Sequence, residues 1–465
     1  MLQGYKSHPY IPNSEPSVEA EMLRELGLSS LEELHAEVPD EIKLTENLDL
    51  PPAFESEMEL KKHVSALLSK NSNCEDNLNF MGGGCWQHYV PAVCDEINGR
   101  GEFLTGYGGE PYNDFGRFQT LFEYESLIAE LVDMDVVNCP TYDGPQAAAT
   151  SLRMAGRING RRRFLVPKTL DPQKFQVIKN YCEPLHSVEQ VGYIASSGLM
   201  DLNDLKEKLD SDVAAVYFET PSYLGFIETQ AREIVEMAHE VGAEAVVGTD
   251  PISLGVLAPP ASFGANIVCG DIQPLGMHMN YGGGQGGFIA TADDPKYVMQ
   301  YPSRLFGICP TTVPGEYGFA DVAYDRTSFG HLRHEANEYV GTMAGLWGIT
   351  AGVYLALMGP KGMKEVGETI MRNSRYSAGL LNKIPGVTAN RFGGPFFKEF
   401  VVDFNESGKT VKEINKALLE AGIFGGVNIS GTFPELGECA LYCVTEVHSK
   451  NDLDRLADAV GRALA

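Results

Sequence analysis

Residues 270–287 read GDIQPLGMHMNYGGGQGG, an apolar stretch that runs into a glycine-rich loop. The segment has the outline of a loop that carries a cofactor-binding lysine, yet no lysine occurs between Lys208 and Lys296. A lysine amine holds an aldehyde cofactor such as pyridoxal phosphate (PLP) as a Schiff base and moves protons, which other side chains do poorly. The pattern therefore indicates either an active site without its central residue or an ordinary turn in which glycine supplies positive φ.

A carboxylate stands shortly before this loop, at the end of a strand-like run. Asp250 suits the group that keeps the pyridine nitrogen of PLP protonated. The alternative is an aspartate that shapes a turn before Pro251. Further polar candidates for the same pocket lie within the loop: Gln273, His278 and Asn280. Because none of these groups is a Schiff-base amine, we assign no catalytic residue to this chain.

The start of a helix offers a second candidate contact for a cofactor. Tyr142, Asp143 and Gly144 lead into a helix predicted from Pro145, and backbone amides at such a start can bind a phosphate. A plain helix cap formed by the Asp143 side chain explains the same pattern. The sequence leaves both interpretations open.

Composition excludes several classes of partner. The 465 residues are 43% hydrophobic, which is ordinary for a soluble chain of two or three domains. The 36 Lys and Arg against 63 Asp and Glu give a net charge of −27, which repels nucleic acids and anionic membranes. The nine scattered cysteines favour reduced thiols, and the absence of a Cys/His cluster at ligand spacing argues against a metal site. Residues 1–12 lack the pattern of a signal peptide, so we expect a cytoplasmic protein.

Strand-like and helix-like segments alternate from Met134 onward, which predicts an α/β domain with a mostly parallel sheet. The predicted strands are residues 163–167, 213–219, 244–249, 266–270 and 287–291. Ligands of such sheets bind beyond the carboxyl ends of the strands. Residues 220–223, Asp250 and the 270–287 loop should therefore share one crevice.

We expect four segments along the chain. Residues 1–70 form an arm of short helices that has too little apolar surface to fold alone, so it should lie on the main body or on a neighbouring subunit. Residues 71–335 form a large α/β domain, residues 336–362 a long buried or interface helix, and residues 363–465 a smaller α/β domain. The predicted helices of the arm are residues 17–26, 31–37 and 56–70.

Residues 339–359 carry no charged side chain and contain two GxxxG spacings, which begin at Gly341 and Gly348. A membrane span is one interpretation. A helix that is apolar all round is also expected in a large core or at a subunit interface, which we favour because the run lies alone within soluble sequence. We expect this helix to stop at Met-Gly-Pro, residues 358–360. If its glycines face a partner's helix, Gly345→Leu or Gly348→Leu should push the partners apart.

Short motifs are spread over nearly the whole chain. They are YIP at residues 10–12, LPPA at 50–53, Gly84 with His88, Tyr89 and Pro91, FEY at 122–124, MDV at 134–136, YDG at 142–144, DPISLG at 250–255, QPLG at 273–276 and VTE at 444–446. In their order they resemble the first subunit, or amino-terminal half, of the glycine cleavage system P-protein. Each motif is short, but the shared order makes the resemblance specific.

The resemblance implies a PLP-dependent transferase fold of type I, with a large mostly parallel-sheet domain and a smaller C-terminal α/β domain. It also implies that the lysine lies in a second, homologous subunit. In the family, glycine joins PLP on that partner and loses carbon dioxide, and its aminomethyl group passes to the lipoyl arm of the H-protein. The present chain would then be a subunit of a heterotetrameric glycine dehydrogenase in which the partner holds PLP, with none attached covalently to this chain.

Two segments depart from the family pattern. Residues 106–116 read GYGGEPYNDFG in place of a TPYQPEISQG-like loop, and residues 337–344 read NEYVGTMA in place of an SNICTNQ-like segment. A paralogous subunit that acts on another small amino acid and a non-enzymatic scaffold therefore stay open as alternatives. We expect the chain alone to form no PLP aldimine, because Pro274 and Leu275 stand near the place of the Schiff-base lysine.

Overall fold

The computed structural model of the chain describes residues 10–12, 14–44, 46, 48–104, 115–183, 185–322, 337–338 and 343–465. The chain divides into two compact units, Met1–Ser72 and Asn73–Ala465. Two stretches singled out in the sequence, residues 106–114 and 339–342, lie outside the described residues. The altered loop and the first part of the uncharged run therefore stay predictions.

Within its described residues, the first unit contains two α-helices, Pro16–Glu25 and Glu57–Leu68, and two short 3-10 turns, Leu31–His35 and Asp40–Ile42. The Glu15 side chain accepts hydrogen bonds from the first-turn amides of one helix, and Ser56 caps the other. The helices predicted at residues 17–26 and 56–70 are confirmed within two residues, whereas the helix predicted at residues 31–37 is a 3-10 turn. No residue of either α-helix is buried, so the described residues of this unit form no core of their own.

A mixed sheet organises the second unit. Among the described residues it has seven strands, in the spatial order Val136–Val137, Gly287–Thr291, Ile267–Asp271, Glu244–Gly248, Val213–Glu219, Arg163–Pro167 and Ser187–Val191. The Gly287–Thr291 strand pairs antiparallel with both of its neighbours, and all other pairs are parallel. The mostly parallel sheet is confirmed, and the five predicted strands agree with the observed bounds within one residue.

Alternating side chains of the strands build a core on each face of this sheet. Tyr217 packs with the Gly144–Asn159 helix on one face, and Val216 and Phe218 pack with the Ala231–Glu240 helix on the other. Every residue of the Val213–Glu219 strand is buried, as expected for a parallel strand covered by helices on both sides. The remaining helices and 3-10 turns of this part are Ala92–Asn98, Gly101–Leu104, Phe115–Val132, Pro172–Cys182, Leu202–Lys208, Pro251–Gly255, Pro260–Phe263, Asn280–Gly282 and Pro295–Val298.

The C-terminal residues form a second, smaller sheet. Its four described strands are antiparallel, in the order Thr388–Ala389, Glu399–Asp403, Cys439–Cys443 and Val427–Asn428. Two helices, Val411–Glu420 and Lys450–Leu464, pack their apolar faces into the same core. The smaller elements are the Phe306–Pro310 and Tyr317–Asp321 hairpin, the Pro434–Leu436 turn and the Ile423–Phe424 strand. The sequence predicts strands at residues 399–404 and 440–445 and helices at residues 411–421 and 452–464, and each of these is observed within two residues.

One segment from the start of the second unit completes this C-terminal core. Leu78–Asn79 pairs parallel with Ile423–Phe424, and the next residue, Phe80, is fully buried among the C-terminal side chains. The Phe80 amide donates to the Phe424 carbonyl, and the Phe80 carbonyl accepts from the Cys443 amide. The smaller sheet region therefore depends on residues from the other end of the unit.

The long helix spans Gly345–Leu381 and bends at Gly359, which has a φ of 57° and a ψ of −178°. The bend follows from Pro360, which has no amide hydrogen and whose ring clashes with the preceding turn of a straight helix. The prediction that the uncharged helix stops at residues 358–360 is confirmed, because Gly359 leaves helical geometry there and a second helix starts directly after it. No helix in the described part of the chain has the length and apolarity to span a membrane.

The glycines of this helix contact the chain's own core. A methyl group at Gly348 would lie 2.9 Å from Cγ of Pro140, and one at Gly352 would lie 3.3 Å from Cβ of Tyr124, on the Phe115–Val132 helix. The close approach of a facing helix that the spacing predicts does occur, but within one chain. The expectation that Gly348 lies against a partner is therefore wrong, whereas at Gly345 the nearest atom would be 3.8 Å away.

We expect Gly348→Ala to lower the free energy of unfolding by about 1–3 kcal/mol, because the added methyl overpacks the contact with Pro140. Gly345→Ala is the matched control in the same helix, and there the open space leaves only the gain in helix propensity. Urea unfolding followed by circular dichroism measures both. Equal stability of the two variants would contradict the tight contact.

Candidate functional site

A crevice of about 350 Å³ opens at the carboxyl ends of the central strands. The stretches that line it include residues 221–223, 248–250 and 269–271, which follow or end three neighbouring strands of the main sheet. Residues 82–86 and 397–399 close it from the glycine-rich segment near the start of the second unit and from the smaller sheet. The shared crevice predicted from the sequence is confirmed.

The structure separates the predicted pocket residues into two groups. Asp143, Gly144 and Asp250 line the crevice, whereas Tyr142, Gln273, His278 and Asn280 are not among its lining residues. Tyr142 is half-exposed and His278 is exposed, with its Nε2 3.0 Å from Asp95 Oδ1. Gln273 is fully buried. It holds the segment around Trp86 in place by accepting from the Trp86 amide and donating to the Trp86 carbonyl.

The start of the Gly144–Asn159 helix is occupied by two carboxylates of the chain itself. Asp143 caps the helix by accepting from the Gln146 amide at 2.7 Å. Oδ2 of Asp271 accepts from the Gly144 amide at 2.8 Å, and Oδ1 of Asp271 accepts from the Gln273 amide at the same distance. The cap interpretation of this helix start is therefore confirmed, and the Gly144 amide that a phosphate would use donates to an aspartate of the chain.

Burial raises the pKa of Asp271 to about 7, although three backbone amides that donate to its carboxylate oppose the shift. These amides belong to Gln273, Gly144 and Gly286. Desolvation outweighs the hydrogen bonds in setting the pKa of Asp271, because the carboxylate lies away from water and has no cationic partner among its described contacts. Asp271 therefore carries a proton part of the time near neutral pH.

The carboxylate of Asp250 is paired with a lysine from the smaller sheet region. Oδ2 of Asp250 lies 2.8 Å from Nζ of Lys398, and the two side chains are 9% and 3% exposed. The other oxygen of Asp250 accepts from the Ile252 amide at 3.1 Å. The Lys398 ammonium also lies 3.6 Å from the centre of the Trp86 ring, within cation–π range.

Lys398 continues into a short polar chain. Its Nζ lies 3.2 Å from Nε2 of His88, and Nδ1 of His88 lies 2.9 Å from Oε2 of Glu446. Because an ammonium group can only donate, Nε2 of His88 accepts from Lys398, and Nδ1 donates to Glu446. The chain Asp250–Lys398–His88–Glu446 thus ties the main sheet, the smaller sheet and the segment around His88 together.

The opposite wall of the crevice holds a second buried ion pair, between Lys174 and Glu219. The hydroxyl group of Tyr217 donates to the same Glu219 carboxylate at 2.9 Å.

Burial raises the pKa of Glu399, next to Lys398, to about 7, and Oε1 of Glu399 accepts from the Gly83 amide at 2.7 Å. The lining side chains carry more acids than bases: Asp143, Asp171, Glu219, Asp250, Asp271 and Glu399 against Lys174 and Lys398.

Lys398 is not predicted as a pocket residue, because it lies far along the chain from the 270–287 loop. A signal was present in residues 396–400, which read FFKEF. Charged side chains between phenylalanines at the start of a buried strand rarely occur unless they are paired. The described residues contain no group of three or more His, Cys, Asp or Glu side chains placed to hold a metal ion.

The architecture defines the class of protein. A solved sphingosine-1-phosphate lyase from Burkholderia pseudomallei covers 92% of this chain and 94% of its own, with a TM-score of 0.64 at 14% identity. Identity this low shows the fold alone. With the mostly parallel sheet and the crevice at the carboxyl ends of its strands, the chain has the fold of type I PLP-dependent enzymes.

Closer relatives show the family. The profile of the glycine cleavage system P-protein matches residues 8–460. A protein of Staphylothermus marinus named probable glycine dehydrogenase (decarboxylating) subunit 1 is 40% identical, with 97% of each chain covered. A crystal structure of glycine decarboxylase (P-protein) of the glycine cleavage system, in inhibitor-bound form, has a TM-score of 0.83 at 32% identity and covers 98% of this chain and 100% of its own. The chain belongs to the glycine cleavage system P-protein family.

The raised pKa of Asp271 predicts a pH dependence of stability. Its folded-state pKa of about 7 lies above the value of about 4 of an unfolded aspartate, so the folded chain binds more protons between these values. The contribution of Asp271 to the free energy of unfolding should therefore fall from pH 4 to pH 7 and then level off. Asp271→Asn, which cannot titrate, should remove this decline in urea unfolding experiments at pH 5, 6, 7 and 8.

Other groups with shifted pKa values shape the same profile, so the variant must be compared with the wild type at each pH. Glu399, whose pKa is also raised to about 7 by burial, adds a decline of the same sign. His448, whose pKa burial lowers, adds stability as pH rises toward its ordinary value. The exposed Asp458 provides the control, Asp458→Asn. An unchanged slope in Asp271→Asn would contradict the burial argument.

Proposed function

We propose that this chain is the lysine-lacking subunit of a PLP-dependent glycine decarboxylase, where it supports glycine decarboxylation and aminomethyl transfer to the lipoyl H-protein. The observation that carries the proposal is a family match over residues 8–460 combined with a 270–287 loop that has no lysine. Pro274 and Leu275, both buried, stand near the expected place of the amine. The name of the Staphylothermus marinus relative favours glycine over another small amino acid.

The crevice residues do not fit PLP. The amide of Gly144, which a phosphate would need, already donates to Asp271. The carboxylate of Asp250, which a pyridine nitrogen would need, is already paired with Lys398. These contacts support the proposal that PLP is bound by the homologous lysine-bearing subunit and not by this chain. No catalytic step is assigned to the crevice of this chain.

The role of this chain is to hold its two sheets in a fixed geometry and to provide surfaces for the partner subunit. Its buried polar chain from Asp250 to Glu446 fixes the two sheets relative to each other, so the surfaces that a partner meets are presented in one geometry. The first unit has two helices with no buried residue, and its apolar side chains are available to a neighbour. We assign it, as residues 1–70, the role of a docking arm.

The finer organisation follows the same proposal. Residues 71–335 act as the large domain, residues 336–362 as the connecting helix and residues 363–465 as the small domain. Two copies of this chain and two of the lysine-bearing subunit form a heterotetramer in the cytoplasm, and the lipoyl H-protein is the acceptor of the aminomethyl group.

Co-expression with a homologous lysine-bearing subunit tests the function. We expect release of carbon dioxide from glycine in the presence of PLP and lipoyl H-protein by the pair, and none by this chain alone. The control is the same pair in which the partner's Schiff-base lysine is replaced by alanine. Light scattering should give the mass of two copies of each subunit.

Three outcomes would count against the proposal. Turnover of alanine or serine in preference to glycine would favour the paralogue. A pair that assembles but decarboxylates neither glycine nor another small amino acid would favour the scaffold. A borohydride-reducible PLP adduct that maps to this chain's crevice would contradict the assignment of the cofactor to the partner.

A further inference from the structure

We propose that Asp271 and Lys398 occupy, within this chain, the two positions that the phosphate and the pyridine nitrogen of PLP would take, and that they thereby keep the cofactor out of this crevice. The inference rests on the proposed function only in that PLP is the cofactor of the assembly. According to this inference, two side chains block the binding of PLP, and the missing lysine alone does not explain its exclusion.

The anion end of the crevice is closed by Asp271. A phosphate bound at the start of the Gly144–Asn159 helix needs the amides of the first turn. The Gly144 amide donates to Asp271 and the Gln146 amide donates to Asp143. A phosphate dianion placed there would lose these donors and would meet a carboxylate at close range in a buried site, where like charges repel most strongly.

The cation end is closed by Lys398. A protonated pyridine nitrogen would have to displace the ammonium group that lies 2.8 Å from Asp250. The displaced ammonium would keep only the Nε2 of His88 and the face of the Trp86 ring among these contacts. Because Lys398 is 3% exposed, it cannot recover its hydration without leaving the site.

The two stand-ins reproduce the charge pattern of the cofactor. The ammonium of Lys398 faces Asp250 and the carboxyl group of Asp271 faces the helix start, where the pyridinium and the phosphate of PLP would lie. The crevice between them still has a volume of about 350 Å³. The ends of the crevice are thus blocked by charge and hydrogen bonding, whereas its middle is open, so removal of the two side chains should be sufficient to admit the cofactor.

The test is binding of pyridoxamine phosphate to the full-length chain. This probe has the ring and the phosphate of PLP but no aldehyde, so it cannot form adducts with surface lysines. We expect the double variant Asp271→Ser/Lys398→Gln to bind it at least about tenfold more tightly than the wild type in isothermal titration calorimetry, a gain of about 1.4 kcal/mol. Quenching of the Trp86 fluorescence should accompany binding, since Trp86 lines the crevice.

Matched controls separate the effect from a general change of charge. Asp458→Ser/Lys364→Gln makes the same substitutions at exposed positions and should bind no better than the wild type. Inorganic phosphate should compete with the probe in the double crevice variant. If that variant does not fold, the near-isosteric Asp271→Asn alone has to bind the probe more tightly than the wild type.

Two results would overturn the inference. One is a folded crevice variant, double or single, that binds no more tightly than the wild type. The other is a wild-type chain that already binds pyridoxamine phosphate tightly with quenching of Trp86. Neither readout depends on decarboxylation, so an inactive pair would overturn the proposed function and leave the binding result intact.

Discussion

Lys398→Met is expected to lower the free energy of unfolding by about 3–5 kcal/mol, because it leaves the buried carboxylate of Asp250 without its cation. The variant also removes the donor to Nε2 of His88 and the ammonium over the Trp86 ring. Methionine fills a similar volume, so a packing defect contributes little. Urea unfolding at pH 7, followed by circular dichroism, measures the loss.

Two further variants isolate the buried charge as the cause. Lys364→Met removes an exposed partner of Glu368 in the long helix, where the two side chains are 68% and 61% exposed, and should cost no more than about 1 kcal/mol. The double variant Asp250→Asn/Lys398→Met removes both charges and should recover most of the stability. If the single variants at Lys398 and Lys364 unfold at the same urea concentration, the pair does not hold the two sheets together.

Gly225→Ala is the second substitution with a large expected effect. Gly225 has a φ of 92° and lies in a tight turn of the crevice wall, where its amide donates to the Ser222 carbonyl. An added methyl group would overlap the carbonyl oxygen of Glu399 in the smaller sheet. The positive φ costs about 1–2 kcal/mol and the overlap a further ~1–3 kcal/mol, so we expect a total loss of about 2–5 kcal/mol.

Gly408→Ala separates the two causes. Gly408 also has a positive φ, of 72°, but an added methyl group there would meet no atom within 4 Å. This control should therefore show only the conformational cost. Thermal unfolding of both variants gives the comparison, and equal losses would mean that the wall around Gly225 moves without cost.

Local patterns in the sequence were sufficient to predict most of the fold. The strand Val213–Glu219 is a continuous apolar run, because helices cover the sheet on both faces. The edge strand Ser187–Val191 was not predicted, since one side of an edge strand meets water and its Glu189 and Gln190 break the apolar pattern. The central strands could be predicted from the sequence because both of their faces are buried, and not because of strand propensity.

The contacts within the crevice were less predictable, because they join residues that are far apart in sequence. Asp250 was correctly placed at the end of its strand, but nothing local indicates that its partner is Lys398 in another sheet. The sequence allows a phosphate at the Gly144 amide as one of two alternatives, but nothing local indicates that this amide donates to Asp271. The spacing of apolar residues predicts which face of a helix or strand is buried. It does not predict which charged side chain from a distant part of the sequence will pair with a residue of that element.

The pairing of Leu78–Asn79 with Ile423–Phe424 sets the order of events during synthesis on the ribosome. Residue Phe80 leaves the exit tunnel early, yet its backbone partners include Cys443, which is added near the end of translation. At usual elongation rates this strand waits on the order of tens of seconds with its amides unpaired and its phenylalanine exposed. A nascent chain that stops before residue 443 would keep this apolar edge open, and exposed strands of this kind drive aggregation and recruit chaperones.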